Sequence, residues 1–284
     1  MIENDMNLKM QHGMEKVHCA IKEWNGCTLL STGITGDDAR LAKAAVEAGA
    51  RMLEPNHPAV CLARGHKGVS TMHEAEKVRH EITVAQMAEV TRGIRNVVRD
   101  NIYITVGIPG GFTELKPFIL TDEHMQMMSD AGADGLHTHK SSFKDLEDLV
   151  NLAHKYGLLV DAYIGKKSDR HIFGLPADSP EEVAHTARLM ESIGTDMIGI
   201  MSGMSYDGVK AGEIPSKIQE RIIALKEAVK VPTLAEGGIN ITNYKAFKKT
   251  GVDIIVVGTS FDQVAQSAVQ SVMTEYKNGV CNFE

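Results

Sequence analysis

VPTLAEGGINITNYKAFKKTGVDIIVVGTSFDQVAQSAV, from Val231 to Val269, holds two short apolar runs, TLAE and DIIVVG. Each run stops at glycine and is followed by a helix-like stretch. Between them, KKTG reads as a helix end, since a glycine just past a helix takes the left-handed conformation at little cost. The same helix–glycine–strand order recurs in VEAGARMLEP (46–55), SDAGADGLHTH (129–139), HKYGLLVDAY (154–163), ESIGTDMIGIM (191–201) and KKTGVDIIVVG (248–258). Repetition of one such unit predicts helices and strands alternating along the whole chain.

The remaining units fill in around these. Strands are expected at 27–33, 51–56, 102–108, 134–139, 158–164, 196–202, 232–236 and 253–258, each followed by a helix. DDARLAKAAVEA is a helix capped by Asp37 or Asp38, TDEHMQMMSDA is capped by Thr121, and SPEEVAHTARLMESI is capped by Ser179 with proline next. Met125, Met127 and Met128 read as helix packing. Eight even βα units predict an α/β fold of the (β/α)8 barrel type, a single domain over 1–284. The doubly wound alternative would carry GxGxxG after its first strand, where STGITGDD has only a loose GxxG. Residues 1–26 form an N-terminal extension, expected to be a cap or a partner contact. Residues 59–100 form a long insertion plus the second helix, expected as a charged loop and an extra helix on the active-site side.

Bulk composition narrows the partners. The 284 residues carry a net charge of −7, with an isoelectric point near 6.0, against nucleic acid as a ligand. No apolar run approaches the roughly 20 residues needed to cross a bilayer, and MIENDMNLKMQHGMEK lacks the apolar core of a signal peptide. The expectation is a cytoplasmic protein. Cys19, Cys27, Cys61 and Cys281 are scattered without CxxC and read as thiols. The fold class favours a homo-oligomer, a dimer first.

The glycines of the opening stretch have a use beyond turning the chain. In a barrel, the loops after the strands build the active site, and the last two strands often share one phosphate held by backbone amides. Gly237 and Gly238 end the seventh strand; Gly258, Thr259 and Ser260 end the eighth. AEGGI (235–239) and VVGTS (256–260) resemble the phosphate-binding (β/α)8 barrels, among them the histidine- and tryptophan-biosynthesis barrels and ribulose-phosphate 3-epimerase. LAEGGINITNYKAFKKTGVDIIVVGTS and DMIGIMSGMSYDG (196–208) look most similar to N-acetylmannosamine-6-phosphate 2-epimerase, over roughly 190–262. That resemblance implies a small phosphorylated substrate, with Ser202 and Gly203 beside the phosphosugar.

Strand alternation then says which side chains face inward, because the outer face must pack on helices. Leu136 outward puts His137 and His139 inward. Val160, Ala162 and Ile164 outward leave Asp161 and Tyr163 inward. Leu53 outward leaves Glu54 and Asn56 inward, and Glu236 joins them at the next strand end. So much buried polarity needs partners or a ligand. Three chemistries fit. One is proton transfer next to a carbonyl by Glu54, His137, His139, Asp161 or Glu236, giving an isomerase or epimerase. Another is metal-assisted lyase or aldol chemistry, with His137, His139, Asp161 and Glu54 as candidate ligands to a divalent ion, the one cofactor the sequence admits. The third is a Schiff base on Lys140 or Lys166. A non-catalytic binding barrel is the reading from a different class. Asn56, Tyr163 and Lys166 are further candidates for substrate contact. Lys166 groups with Lys167 and Arg170, while Arg64, His66 and Lys67 could close over an anion from the insertion or form a solvated loop.

Overall fold

The computed structural model describes residues 2–24, 27–31, 37–114, 116–168, 173–203 and 212–281. The end of the first expected strand beyond Ser31, Arg170 and the MSYDG stretch lie outside the described residues. Nine strands are present among the described residues: β1 Cys27–Leu30, β2 Met52–Leu53, β3 Tyr103–Phe112, β4 Gly135–His139, β5 Leu159–Gly165, β6 Leu175–Pro176, β7 Met197–Met201, β8 Thr233–Glu236 and β9 Ile254–Val257. Eight of them pair in parallel in chain order, and β9 returns to β1 through Cys27↔Ile254 to Leu30↔Val257, closing a (β/α)8 barrel. The two-residue β6 sits outside that ring, beside the end of β5.

The five glycines of the repeated unit all have positive φ: 115° at Gly49, 90° at Gly132, 69° at Gly157, 88° at Gly194 and 82° at Gly251. A side chain there would strain each helix-to-strand turn. Several helix starts are set by side-chain caps. Asp38 caps α2 (Ala39–Glu47), Thr121 caps α6 (Asp122–Asp130) and Ser179 caps α8 (Pro180–Ser192). The other barrel helices are α5 (Val84–Arg95), α7 (Phe143–His154), α9 (Ser216–Ala228), the short α10 (Tyr244–Lys248) and α11 (Thr259–Cys281).

Alternation along the strands separates two cores. Leu53, Ile104, Val106, Leu136, Val160, Ile164, Ile198, Ile200 and Ala235 pack outward against helices. Leu29, Met52, Tyr103, Leu159, Tyr163, Met197, Leu234 and Ile254 fill the inside. That inner core is completed by α1 (Ile2–Trp24), whose Val17 and Ala20 are buried among the first residues of the strands. Lys16 Nζ reaches Asp134 Oδ1 at 2.8 Å just before β4. The N-terminal extension therefore stoppers the bottom of the barrel.

The insertion carries two short helices rather than one: α3 (His57–Ala63), capped by Asn56, and α4 (Met72–Val78), capped by the Thr71–Glu74 box, ahead of α5. Its basic residues do not hang over the barrel mouth as a free anion clamp. Arg64 pairs with Asp37 at 2.7 and 2.9 Å, and His66 Nδ1 lies 3.2 Å from Glu81. The Arg64 charge is met by a neighbouring acid; Lys67 is exposed.

Candidate active site

Inside the C-terminal mouth, β4 turns His137 and His139 inward and β5 does the same for Asp161 and Tyr163. His137 Nδ1 lies 2.7 Å from Asp161 Oδ2, and Thr105 Oγ1 donates to the other oxygen of the same carboxylate. A carboxylate accepts, so Nδ1 carries the proton and Nε2 of His137 points away from Asp161. It meets His139 Nε2 at 2.8 Å, with Glu54 Oε1 at 3.5 Å and Glu236 Oε2 at 3.8 Å. Glu236 Oε2 is also 3.8 Å from His139 Nε2. Glu54, His137, His139 and Asp161 are buried; the Glu236 side chain is 18 % exposed.

The electrostatics follow from this crowding. Burial works against a charge on His137, but Glu54 and Asp161 outweigh it and raise its pKa to about 10. Burial pushes Glu54 up to about 7 and Glu236 up to about 8, in both cases against the opposing pull of His137. His139 is driven well below the usual imidazole range by burial and by His137 beside it. Glu54 Oε2, Glu236 Oε2 and His139 Nδ1 are buried atoms with no hydrogen-bond partner.

A cavity of about 540 Å³ opens above the cluster. Glu236, His137, His139 and Asn56 line it, and so do Gly237, Gly238, Gly258, Thr259 and Ser260. The two glycine turns are neighbours: Ser260 Oγ donates to Ile239 O at 3.0 Å. Their carbonyls are engaged, Gly238 O by Asn243 Nδ2 and Gly258 O by the amides of Phe261 and Asp262. Among the described residues, the amides of Gly238, Thr259 and Ser260 meet no acceptor. Gly237 and Gly258 also have a packing role. A Cβ on Gly237 would stand 2.2 Å from Gly203 O, and one on Gly258 2.5 Å from Ser31 O.

Several residues singled out from sequence stand elsewhere. Asn56 is on the wall, but its amide is committed: Oδ1 caps Ala59 N at 2.8 Å, and Nδ2 donates to Ser31 Oγ and Glu54 Oε1 at 3.0 Å each. Ser202 and Gly203 are not among the described residues that line the cavity. Ser202 Oγ donates to Glu236 O at 2.6 Å and clasps the end of β8 to β7. Tyr163 lies beneath the imidazoles, with ring centroids 4.8 Å from His137 and 5.1 Å from His139. Its ring needs the bare backbone of Gly199, where a Cβ would come within 2.3 Å. Lys166 and Lys140 are half-buried beyond the strand ends and off the cavity wall. Lys167 pairs with Glu182 at 2.6 Å. Among the described residues, no lysine or arginine lines the cavity.

Other wall residues emerge only in three dimensions. The β3–β4 register shifts between Gly107 and Phe112, which carries Phe112 opposite His139, stacked at 4.7 Å. His57 stands edge-on to the same ring at 4.7 Å, with Nδ1 3.1 Å from Gly107 O; burial holds its pKa down to about 3. From α4, His73 and a buried Glu76, paired with Arg79, complete the wall. Thr105 could have been found from sequence, because the alternation that turns Asp161 inward turns Thr105 inward on β3.

No protein-family model matches the chain. It is 28% identical over 188 residues to the thiamine-phosphate synthase of Syntrophomonas wolfei, covering 66% of this chain and 78% of that one. It is 27% identical over 188 residues to the imidazole glycerol phosphate synthase subunit HisF of Streptococcus gordonii, covering 62% and 69%. Among solved structures, a mutant tryptophan synthase alpha-subunit of Pyrococcus furiosus superposes with a TM-score of 0.60 at 12% identity, over 85% of this chain and 90% of that one. No described helix is long and apolar enough to cross a membrane. The chain has the (β/α)8 fold and is similar in sequence to enzymes of phosphate-bearing compounds.

Proposed function

We propose that the chain is an enzyme that isomerises or epimerises a phosphorylated sugar, or a comparable small phosphometabolite, by moving a proton next to a carbonyl. The observation that carries this reading is a shared cavity. The amide-bearing turns after β8 and β9 line the same space as Glu236 and His139. A phosphate seated on the amides of Gly238, Thr259 and Ser260, at the N-terminus of α11, would lie with the rest of the substrate reaching toward the imidazoles. Glu236 takes the proton from the carbon next to the carbonyl, and the imidazole cluster stabilises the negative charge that develops on the carbonyl oxygen. Return of a proton to the other face, or to the neighbouring carbon, gives the epimer or the isomer. Buried atoms of Glu54, His139 and Glu236 without partners favour a site built for a ligand over a silent, filled barrel. The off-wall lysines give the Schiff-base route no support.

The test is solvent exchange. Phosphorylated aldoses, ketoses and amino sugars are incubated with the protein in D2O and followed by proton NMR. Loss of the signal next to the carbonyl for at least one substrate is expected. No exchange and no thermal stabilisation across the whole panel would end the proposal.

A further inference from the structure

We infer that His137, His139 and Glu236 bind one divalent transition-metal ion, with the Glu54 carboxylate close behind His137. One ligand atom from each of the first three lies within 4.8 Å of the others. Around an ion at about 2.0–2.1 Å, tetrahedral donors stand roughly 3.4 Å apart. The separations of 3.5 Å from His137 Nε2 to Glu54 Oε1, and 3.8 Å from each Nε2 to Glu236 Oε2, are close to that spacing. The 2.8 Å between the two Nε2 atoms must open by roughly half an ångström.

The second observation is a pair of carboxylate oxygens beside the two imidazoles, buried and with no hydrogen-bond partner. Glu54 is 1% exposed, yet its Oε2 accepts no hydrogen bond, and neither does Glu236 Oε2. An unmet carboxylate oxygen in such a place is costly unless a cation or a donor meets it. Asp161 and Glu54 face the histidines from β5 and β2, and Glu236 faces them from β8. Among the described residues, the cavity wall supplies no lysine or arginine to offset them.

The surroundings distinguish ligand from support. Asp161 is not a donor here, contrary to the expectation from sequence. Its Oδ2 holds His137 Nδ1 at 2.7 Å, and Thr105 holds its other oxygen, which orients the ring so that Nε2 faces the ion. Asn56 Nδ2 steadies Glu54 Oε1 at 3.0 Å. Two imidazole nitrogens with carboxylate oxygens suit zinc, iron(II), cobalt(II) or manganese(II) over magnesium or calcium. His137, His139 and Glu236 all line the cavity, so the ion would keep a coordination position toward it for a carbonyl or hydroxyl oxygen. Glu236 bound through one oxygen keeps the other for a proton. The site stands on donor geometry and holds whether or not the substrate carries phosphate.

The test is direct metal binding to the full chain after chelator treatment. Cobalt(II) titration followed by visible absorption, with calorimetry for zinc(II), is expected to show one ion per chain at micromolar affinity or tighter. The cobalt form should give paramagnetically shifted proton signals from two imidazoles. His139→Ala and Glu236→Gln should each weaken binding by at least ~100-fold, and Asp161→Asn by about 10–100-fold. His12→Ala and His185→Ala, both on the surface, should leave it unchanged. Wild-type protein that takes up no ion, or shows no imidazole signals in its cobalt form, overturns the inference even if a variant fails to fold. So does uptake that survives His139→Ala and Glu236→Gln in variants whose circular dichroism matches wild type.

Discussion

Asp161 Oδ2 and His137 Nδ1 lie 2.7 Å apart at the centre of the barrel mouth, both fully screened from solvent. That one contact fixes which nitrogen of His137 faces the cavity. Asp161→Asn keeps the size but removes the carboxylate charge beside Nδ1, which weakens both the proton on His137 and the hold on its ring. Turnover in the deuterium-exchange assay should fall about 10²–10⁴-fold, with the far-ultraviolet spectrum unchanged. Full activity in the variant would remove Asp161 from the mechanism.

The anion subsite is tested by charge rather than bulk. Gly258→Val would strike the carbonyl of Ser31 and confound folding with binding. Thr259→Asp places a carboxylate in the first turn of α11 on an exposed position of the same cavity wall, where it suits the helix dipole by about 0.3–1 kcal/mol. Thermal stability should hold or rise, while the Michaelis constant for a phosphorylated substrate rises about tenfold or more. An unchanged constant, with inorganic phosphate still binding as in wild type, would place the anion elsewhere.

Gly199 makes room for Tyr163. A methyl group there meets the ring at 2.3–2.7 Å, and the fully buried ring has nowhere to retreat except toward the imidazoles. Gly199→Ala should cost about 1–3 kcal/mol in chemical denaturation. Combined with Tyr163→Leu, the added cost of the methyl should fall by more than half, a coupling that a double-mutant cycle reads directly.

The stopper helix carries its own prediction. Val17 is fully buried against the first residues of the strands. Val17→Asp should destabilise the chain by several kcal/mol, seen as a large drop in the denaturation midpoint. An unaltered midpoint would mean that α1 leaves the barrel in solution.

Lys140→Met and Lys166→Met should both retain exchange activity within about threefold, and borohydride should trap no substrate adduct. Loss of activity with either variant, together with a trapped adduct, would restore the Schiff-base route.

The barrel was legible because its signals are local. A glycine after five of the helices, a side-chain cap at several helix starts and one inward and one outward side chain per strand step are written in neighbouring residues. They identified the fold, and they turned Glu54, His137, His139, Asp161 and Tyr163 inward as the structure has them. Phe112 and Arg79 were hidden, since the register shift after Gly107 and the fold of α4 follow from contacts between distant segments. The division between Asp161 and Glu236 was hidden for the same reason. Both are inward-facing acids on strands, and alternation gives only a direction. Depth depends on strand stagger around a closed ring, which seats Asp161 against Thr105 beneath the imidazoles and leaves Glu236 at the cavity. Local chain chemistry determined which residues enter the barrel; the ring's closure decided which of them meet one another and which meet a ligand.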